Sequence, residues 1–113
     1  MSQPKIVQET SKERDTVFLA TYLEMQNASI IFFSEKEGKL GSLAVAIPQK
    51  RPPLSSILLG DRNVMVARLL AERLCKKKNK IALVSIFIKT VDEREVGPIL
   101  LRLLEKTLKN REE

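Results

Sequence analysis

Apolar and polar positions change period several times along this chain, and each change marks an element. From Thr16 to Met25 (TVFLATYLEM) β-branched and aromatic residues recur, and Val17, Leu19, Leu23 and Met25 share one face at period two, which predicts a strand. Gln26 and Asn27 predict a turn, because asparagine tolerates the left-handed backbone of a tight hairpin. Ala28 to Ser34 (ASIIFFS) predicts a returning strand, apolar on both faces through Ile30, Ile31, Phe32 and Phe33. Glu35 to Lys39 is a charged turn in which Gly38 offers a permissive backbone position. Leu40 to Ile47 (LGSLAVAI) is the next strand, so the three segments predict an antiparallel meander. In the last of them Leu43, Val45 and Ile47 face one way and Ala44 and Ala46 the other. Small side chains let a helix approach a sheet closely, so a helix is expected on the alanine face.

At the start of the chain Ile6 and Val7 suit a short strand, but Glu9 to Asp15 is densely charged. Residues 1–15 are therefore expected to form an arm, either loose or paired at a sheet edge. Pro48, Pro52 and Pro53 break ladder pairing around Lys50 and Arg51 and predict a loop. Ser55 to Leu59 reads as a short strand ended by Gly60 and Asp61, with Asp61 as the N-cap of a following helix. Between Val64 and Lys77 the residues Val66, Leu69, Leu70 and Leu74 recur at helical spacing, while Arg68, Glu72, Arg73 and Lys76 fall largely elsewhere. Lys80 to Lys89 (KIALVSIFIK) predicts a strand buried on both faces near the sheet centre. Thr90 to Glu93 matches a capping box and opens a last helix through ILLRLLEKTLK, which Pro98 is expected to bend. Its residues Leu100, Leu101, Leu103, Leu104 and Leu108 spread over a wider arc than one packed face requires, which offers part of that helix to a partner. The sum is an α+β fold: an antiparallel β-meander sheet carrying one amphipathic helix, a buried strand and a C-terminal helix, in one domain over residues 1–113.

Composition narrows the chemistry. The chain has no histidine and one cysteine, so an internal disulfide and the usual nitrogen and sulfur ligand sets for zinc are out of reach. No catalytic residue, cofactor or metal is expected, since the commonest catalytic base is missing and no nucleophile motif replaces it. Cys75 stands beside Lys76, but a free cysteine ordinarily behaves as a small apolar residue. Gly60 and Asp61 precede a helix without a glycine-rich phosphate loop, and Asp61 would repel a phosphate. The start MSQPK lacks the apolar run of a secretory signal and no stretch is long enough to span a bilayer, which points to a cytoplasmic protein without a membrane partner.

The formal charge of +6 favours an anionic partner, either nucleic acid or an acidic protein face. Aromatic residues make up only 4% of the chain and tryptophan is absent, which weakens those nucleic-acid readings that rest on stacked aromatic platforms. Lys76, Lys77, Lys78 and Lys80 cluster where a helix should end, and there they complement the negative end of its dipole. The same cluster, with Arg73, Lys50 and Arg51, is the candidate partner-binding set.

The order GSLAVAI, a proline-bearing loop ending PPLSSILLGD, the helix LLAERLCKKKNK and the strand IALVSIFI resembles the fourth proteasome assembly chaperone family over roughly Thr16 to Asn110. That resemblance implies a non-catalytic α+β subunit that pairs with itself or a related chaperone and escorts proteasome α-subunits during α-ring formation. Leu43, Ala44, Val45, Ala46, Leu58, Leu59, Gly60 and Asp61 match its fold motifs. Arg73, Lys76, Lys77 and Lys80 match its basic helix end, which implies contact with an acidic partner. A small basic nucleic-acid-binding protein is the alternative reading. Nucleic-acid binding would weaken steeply with salt, whereas a packed protein interface would not.

Overall fold

The computed structural model describes residues 4–13, 15–49 and 53–112. Lys50 and Arg51, two of the seven candidate binding residues, lie outside the described residues. In chain order the elements are strands β1 (Lys5–Glu13), β2 (Thr16–Glu24), β3 (Ala28–Glu35), β4 (Ser42–Ile47) and β5 (Leu54–Leu59), helix α1 (Val64–Lys78), strand β6 (Ile81–Phe87) and helix α2 (Glu93–Glu112). The strands form one mostly antiparallel six-stranded sheet in the order β1-β2-β3-β6-β4-β5, and the α+β class is as the sequence predicts.

The charged N-terminal segment is a full strand rather than a loose arm. Every residue of β1 pairs with β2, from Lys5 opposite Glu24 to Glu13 opposite Thr16. Its charges are tolerated because they alternate. Glu9 and Glu13 rise toward α2, where Lys106 and Arg102 meet them at 3.7 and 2.9 Å, while Gln8, Thr10 and Lys12 turn to the other face.

The meander holds for β1, β2 and β3 and then stops. Leu40 to Ile47 does not continue it, because β6 enters between β3 and β4, parallel to β3 (Ile31 opposite Val84) and antiparallel to β4 (Ala44 opposite Val84). A strand as apolar as IALVSIF gains most from two neighbours, and a simple meander would leave it at an edge. Gly41 permits the close approach of the chain entering β4. A Cβ there would fall on the carbonyl oxygen of Ile86, and the Gly41 amide donates to Ser85 Oγ at 2.9 Å.

Both helices lie on the same face of the sheet. There Phe18, Ala20, Tyr22, Ile31, Phe33, Ala44, Ala46, Ala82, Val84 and Ile86 are essentially inaccessible. The predicted alanine face does carry a helix: α1 packs over β4 and β6. That choice also rotates α1 relative to expectation. Its buried stripe is Ala67, Leu70, Ala71, Leu74 and Cys75, since alanine facing alanine brings the axis close, and Leu69 is left 61% exposed. In β2 the core likewise takes Phe18, Ala20 and Tyr22, leaving Val17, Leu19, Leu23 and Met25 on the opposite face. The leucine arc of α2 is consumed inside the chain, with Leu100, Leu103, Leu104 and Leu108 all buried against β1 and β2 and only Leu101 partly exposed.

Local signals were displaced in four places. The Gln26-Asn27 turn closes with Met25 N donating to Ala28 O at 2.8 Å, without a left-handed Asn27. After β3 the left-handed residue is Lys36 (φ 62°), not Gly38. Helix α1 is entered from a left-handed Asn63 (φ 61°), with Asp61 exposed two residues earlier and making no cap. The capping box at Thr90 does not form, because its members have other partners. Thr90 Oγ1 donates to Glu35, Glu93 accepts the Asn63 amide at 2.9 Å, and Asp92 receives the first amides of α2, from Glu95 and Val96 at 2.8 and 3.1 Å. Pro98 lies inside α2 as the sequence indicates.

Candidate protein-binding surface

The five described basic positions, Arg73, Lys76, Lys77, Lys78 and Lys80, do not act as one patch. Arg73 on α1 pairs with Glu105 on α2 at 2.7 Å and ties the two helices together. Lys78 and Lys80 converge on Glu24 at 3.7 and 3.2 Å, and Lys80 Nζ also donates to Met25 O at 2.9 Å. Tyr22 OH donates to the same carboxylate at 2.9 Å and contacts Ser29 Oγ at 3.2 Å. This half-buried cluster fastens the end of α1 to the β2–β3 hairpin, which is a structural use of charge. The turn itself closes on Asn79 (φ 55°), whose amide donates to Cys75 O at 2.7 Å, the left-handed C-cap geometry for which asparagine suits. Lys76 and Lys77 remain exposed, and among the described residues no carboxylate lies within ion-pair distance of either. Burial pushes the Cys75 thiol up, so it is no thiolate nucleophile near neutral pH.

A larger surface went unread in the sequence. Two helices cover one face of a six-stranded sheet; nothing among the described residues covers the other. The strand register assigns to that face Leu19 and Leu23 of β2, Ile30 and Phe32 of β3, Leu83 and Phe87 of β6, and Leu43, Val45 and Ile47 of β4. All are partly exposed. From β2 across to β5 the register puts no Asp, Glu, Lys or Arg on it; Lys12 of β1 is the first charge met. At one end Lys39 and Lys89 hold their ammonium groups over the Phe87 ring, at 5.2 and 5.0 Å from its centre.

An uncharged apolar sheet face of this kind is unusual on an isolated subunit. The five strands from β2 to β5, each taking up about 4.8 Å of width and about 20–30 Å long, give it roughly 600 Å². Two such faces stacked would bury about 1,200 Å², the lower bound of specific interfaces. The signal was present in ASIIFFS and IALVSIFI, which are apolar on both faces, while both helices lie on one side of the sheet.

No family model matches the chain, and no curated protein matches it. Among solved structures, a chain from the crystal structure of a novel chaperone complex for yeast 20S proteasome assembly superposes with a TM-score of 0.71 at 17% identity, covering 96% of this chain and 95% of that chain. The two chains share a fold. The likeness extends over nearly the whole of both, so the six strands and two helices described above are that fold without a large insertion or omission. Among the described residues no group of three acidic or cysteine side chains is placed to hold a metal ion, and no helix is long and apolar enough to cross a membrane.

Proposed function

We propose that this chain is a non-catalytic assembly chaperone that binds proteasome α-subunits during α-ring formation and works as a dimer, with itself or with a related subunit. One observation carries the reading: the apolar sheet face, on which strands β2 to β5 place no charged side chain and which on a subunit of this fold calls for a protein partner. In the dimer that face is the contact between subunits, stacked on its counterpart as in a sandwich of two sheets. The helices then lie outside, and the exposed Lys76 and Lys77 at the end of α1 are free to meet an acidic face of the client. Arg73, Lys78 and Lys80 support that surface by fixing its position. The motif resemblance and the fold shared with a subunit of a proteasome assembly chaperone complex point the same way.

The client is tested with purified components. The nuclease-treated protein is mixed with individual recombinant α-subunits, and complexes are resolved by native mass spectrometry at moderate salt. A complex with at least one α-subunit, weakened by Lys76→Glu with Lys77→Glu, is the expected result. Absence of any complex, together with a salt-sensitive shift on adding an oligonucleotide, would replace this reading with the nucleic-acid one.

A further inference from the structure

The two edges of the sheet are built differently. β1 carries Lys5, Glu9, Lys12 and Glu13, and α2 reaches over it, with Lys106 Nζ donating to the Thr10 carbonyl at 3.0 Å. Charges and a covering helix are how an edge is kept from pairing with other chains. β5 (LSSILL) has no charged residue and no proline, and among the described residues its outer row of backbone amides and carbonyls faces no other strand.

Exposed apolar side chains gather at that same edge. Of the ten large ones exposed among the described residues, three are on β5 (Leu54, Leu58 and Leu59) and two on α1 (Met65 and Leu69). The α1 pair stands above β5. Ser55 Oγ accepts from Arg68 Nε at 3.2 Å and donates to Glu72, which fixes that side of the helix over the strand, and Met65 and Leu69 flank those two residues. Lys76 follows Glu72 by one turn. Since α1 runs back along β5, its unpaired ammonium lies toward the Leu54 end of the edge.

We propose that β5 receives an extended segment of a partner polypeptide as a seventh strand, with apolar side chains resting on Leu54, Leu58 and Leu69 and an acidic residue meeting Lys76. Only an extended backbone satisfies the outward row of donors and acceptors, and alternate side chains then fall on the two apolar shoulders. The length is set by Pro53 and Gly60, which bound β5 to six residues. A second copy of this chain fits less well. Antiparallel pairing of two β5 edges would set each Lys76 against the neighbour's Asp61-Arg62, a pair with no net negative charge.

The probe is a synthetic peptide of alternating valine and threonine closed by two glutamates, titrated into the full-length protein while backbone amides are followed by NMR. Shift changes confined to Leu54–Leu59 and the Met65–Lys76 side of α1 are expected. Leu54→Lys and Leu58→Lys, both at exposed positions and so compatible with folding, should weaken binding about tenfold or more by placing a charge at the edge. A lysine-ended peptide should bind about threefold more weakly or worse. The inference is overturned by an absence of change at β5, by binding that ignores Leu58→Lys, or by a doubled mass of the protein alone that Leu58→Lys halves and Leu83→Glu leaves doubled, which would assign the edge to a second copy. The peptide carries no α-subunit sequence, so its failure leaves the proposed client standing, and failure to bind α-subunits leaves the strand site standing.

Discussion

Glu35 shows how much a single side chain organises here. Burial alone would push its carboxyl up, but hydrogen bonds from the Thr90 hydroxyl and from the amides of Lys89 and Thr90, at 2.8 and 3.1 Å, outweigh it with help from the charge of Lys36, and the group is held below the usual carboxylate range. It clamps the segment between β6 and α2 to the end of β3. A carboxyl whose folded pKa is depressed contributes stability above its unfolded pKa and loses it as pH falls through the folded value. Glu35→Gln should therefore lower Tm at pH 7, and the gap from the unmodified protein should close as pH is taken below the ordinary carboxylate range. Thermal melts across pH 3 to 7 check this, and a gap that stays constant would contradict it. Gly41 makes a different kind of prediction. A methyl group there meets backbone rather than a movable side chain, so Gly41→Ala should cost about 2 kcal/mol or more in denaturant unfolding.

Among the elements, β1 is where the sequence leaves two outcomes open, a loose arm or a strand at a sheet edge, and the structure takes the second. Local polarity does not decide between them because it gives no hint of the two cations, Arg102 and Lys106, that α2 brings to Glu13 and Glu9 from the far end of the chain. Deleting residues 1–13 should lower Tm by about 10 °C or more, since it uncovers the edge of β2 beside Phe18, Ala20 and Tyr22; an unchanged melt would mean that β1 adds nothing. Elements with a strong period were legible. The alanine face of β4, the span of α1, and the leucine stripe of α2 follow from residue size and spacing alone. Less legible were the choices made by competition. Asp61 and the Thr90 capping box are sound local signals, yet Glu93 turns to Asn63 and Thr90 to Glu35 once the chain folds. The insertion of β6 between β3 and β4 is likewise a long-range choice that no local pattern encodes.

For the whole molecule, the sum of elements is what exposes function. The basic cluster that drew attention in the sequence divides on folding into structural pairs, Arg73 with Glu105 and Lys78 and Lys80 with Glu24, and two outward lysines. The apolar face appears only when strands that are hydrophobic on both sides meet two helices that both choose one side. Leu83 sits at its middle, partly exposed, on the strand between β3 and β4 and directed away from the helices. Replacing it with glutamate should leave the core intact while setting a charge in the centre of the stacked interface. The decisive measurement is the native mass of the purified protein at micromolar concentration, alone and as Leu83→Glu. The proposed assembly requires twice the chain mass for the unmodified protein, or a one-to-one complex with a related subunit, and the mass of one folded chain for the variant. A protein that stays a single chain with or without the substitution, and that pairs with no related subunit, would contradict it.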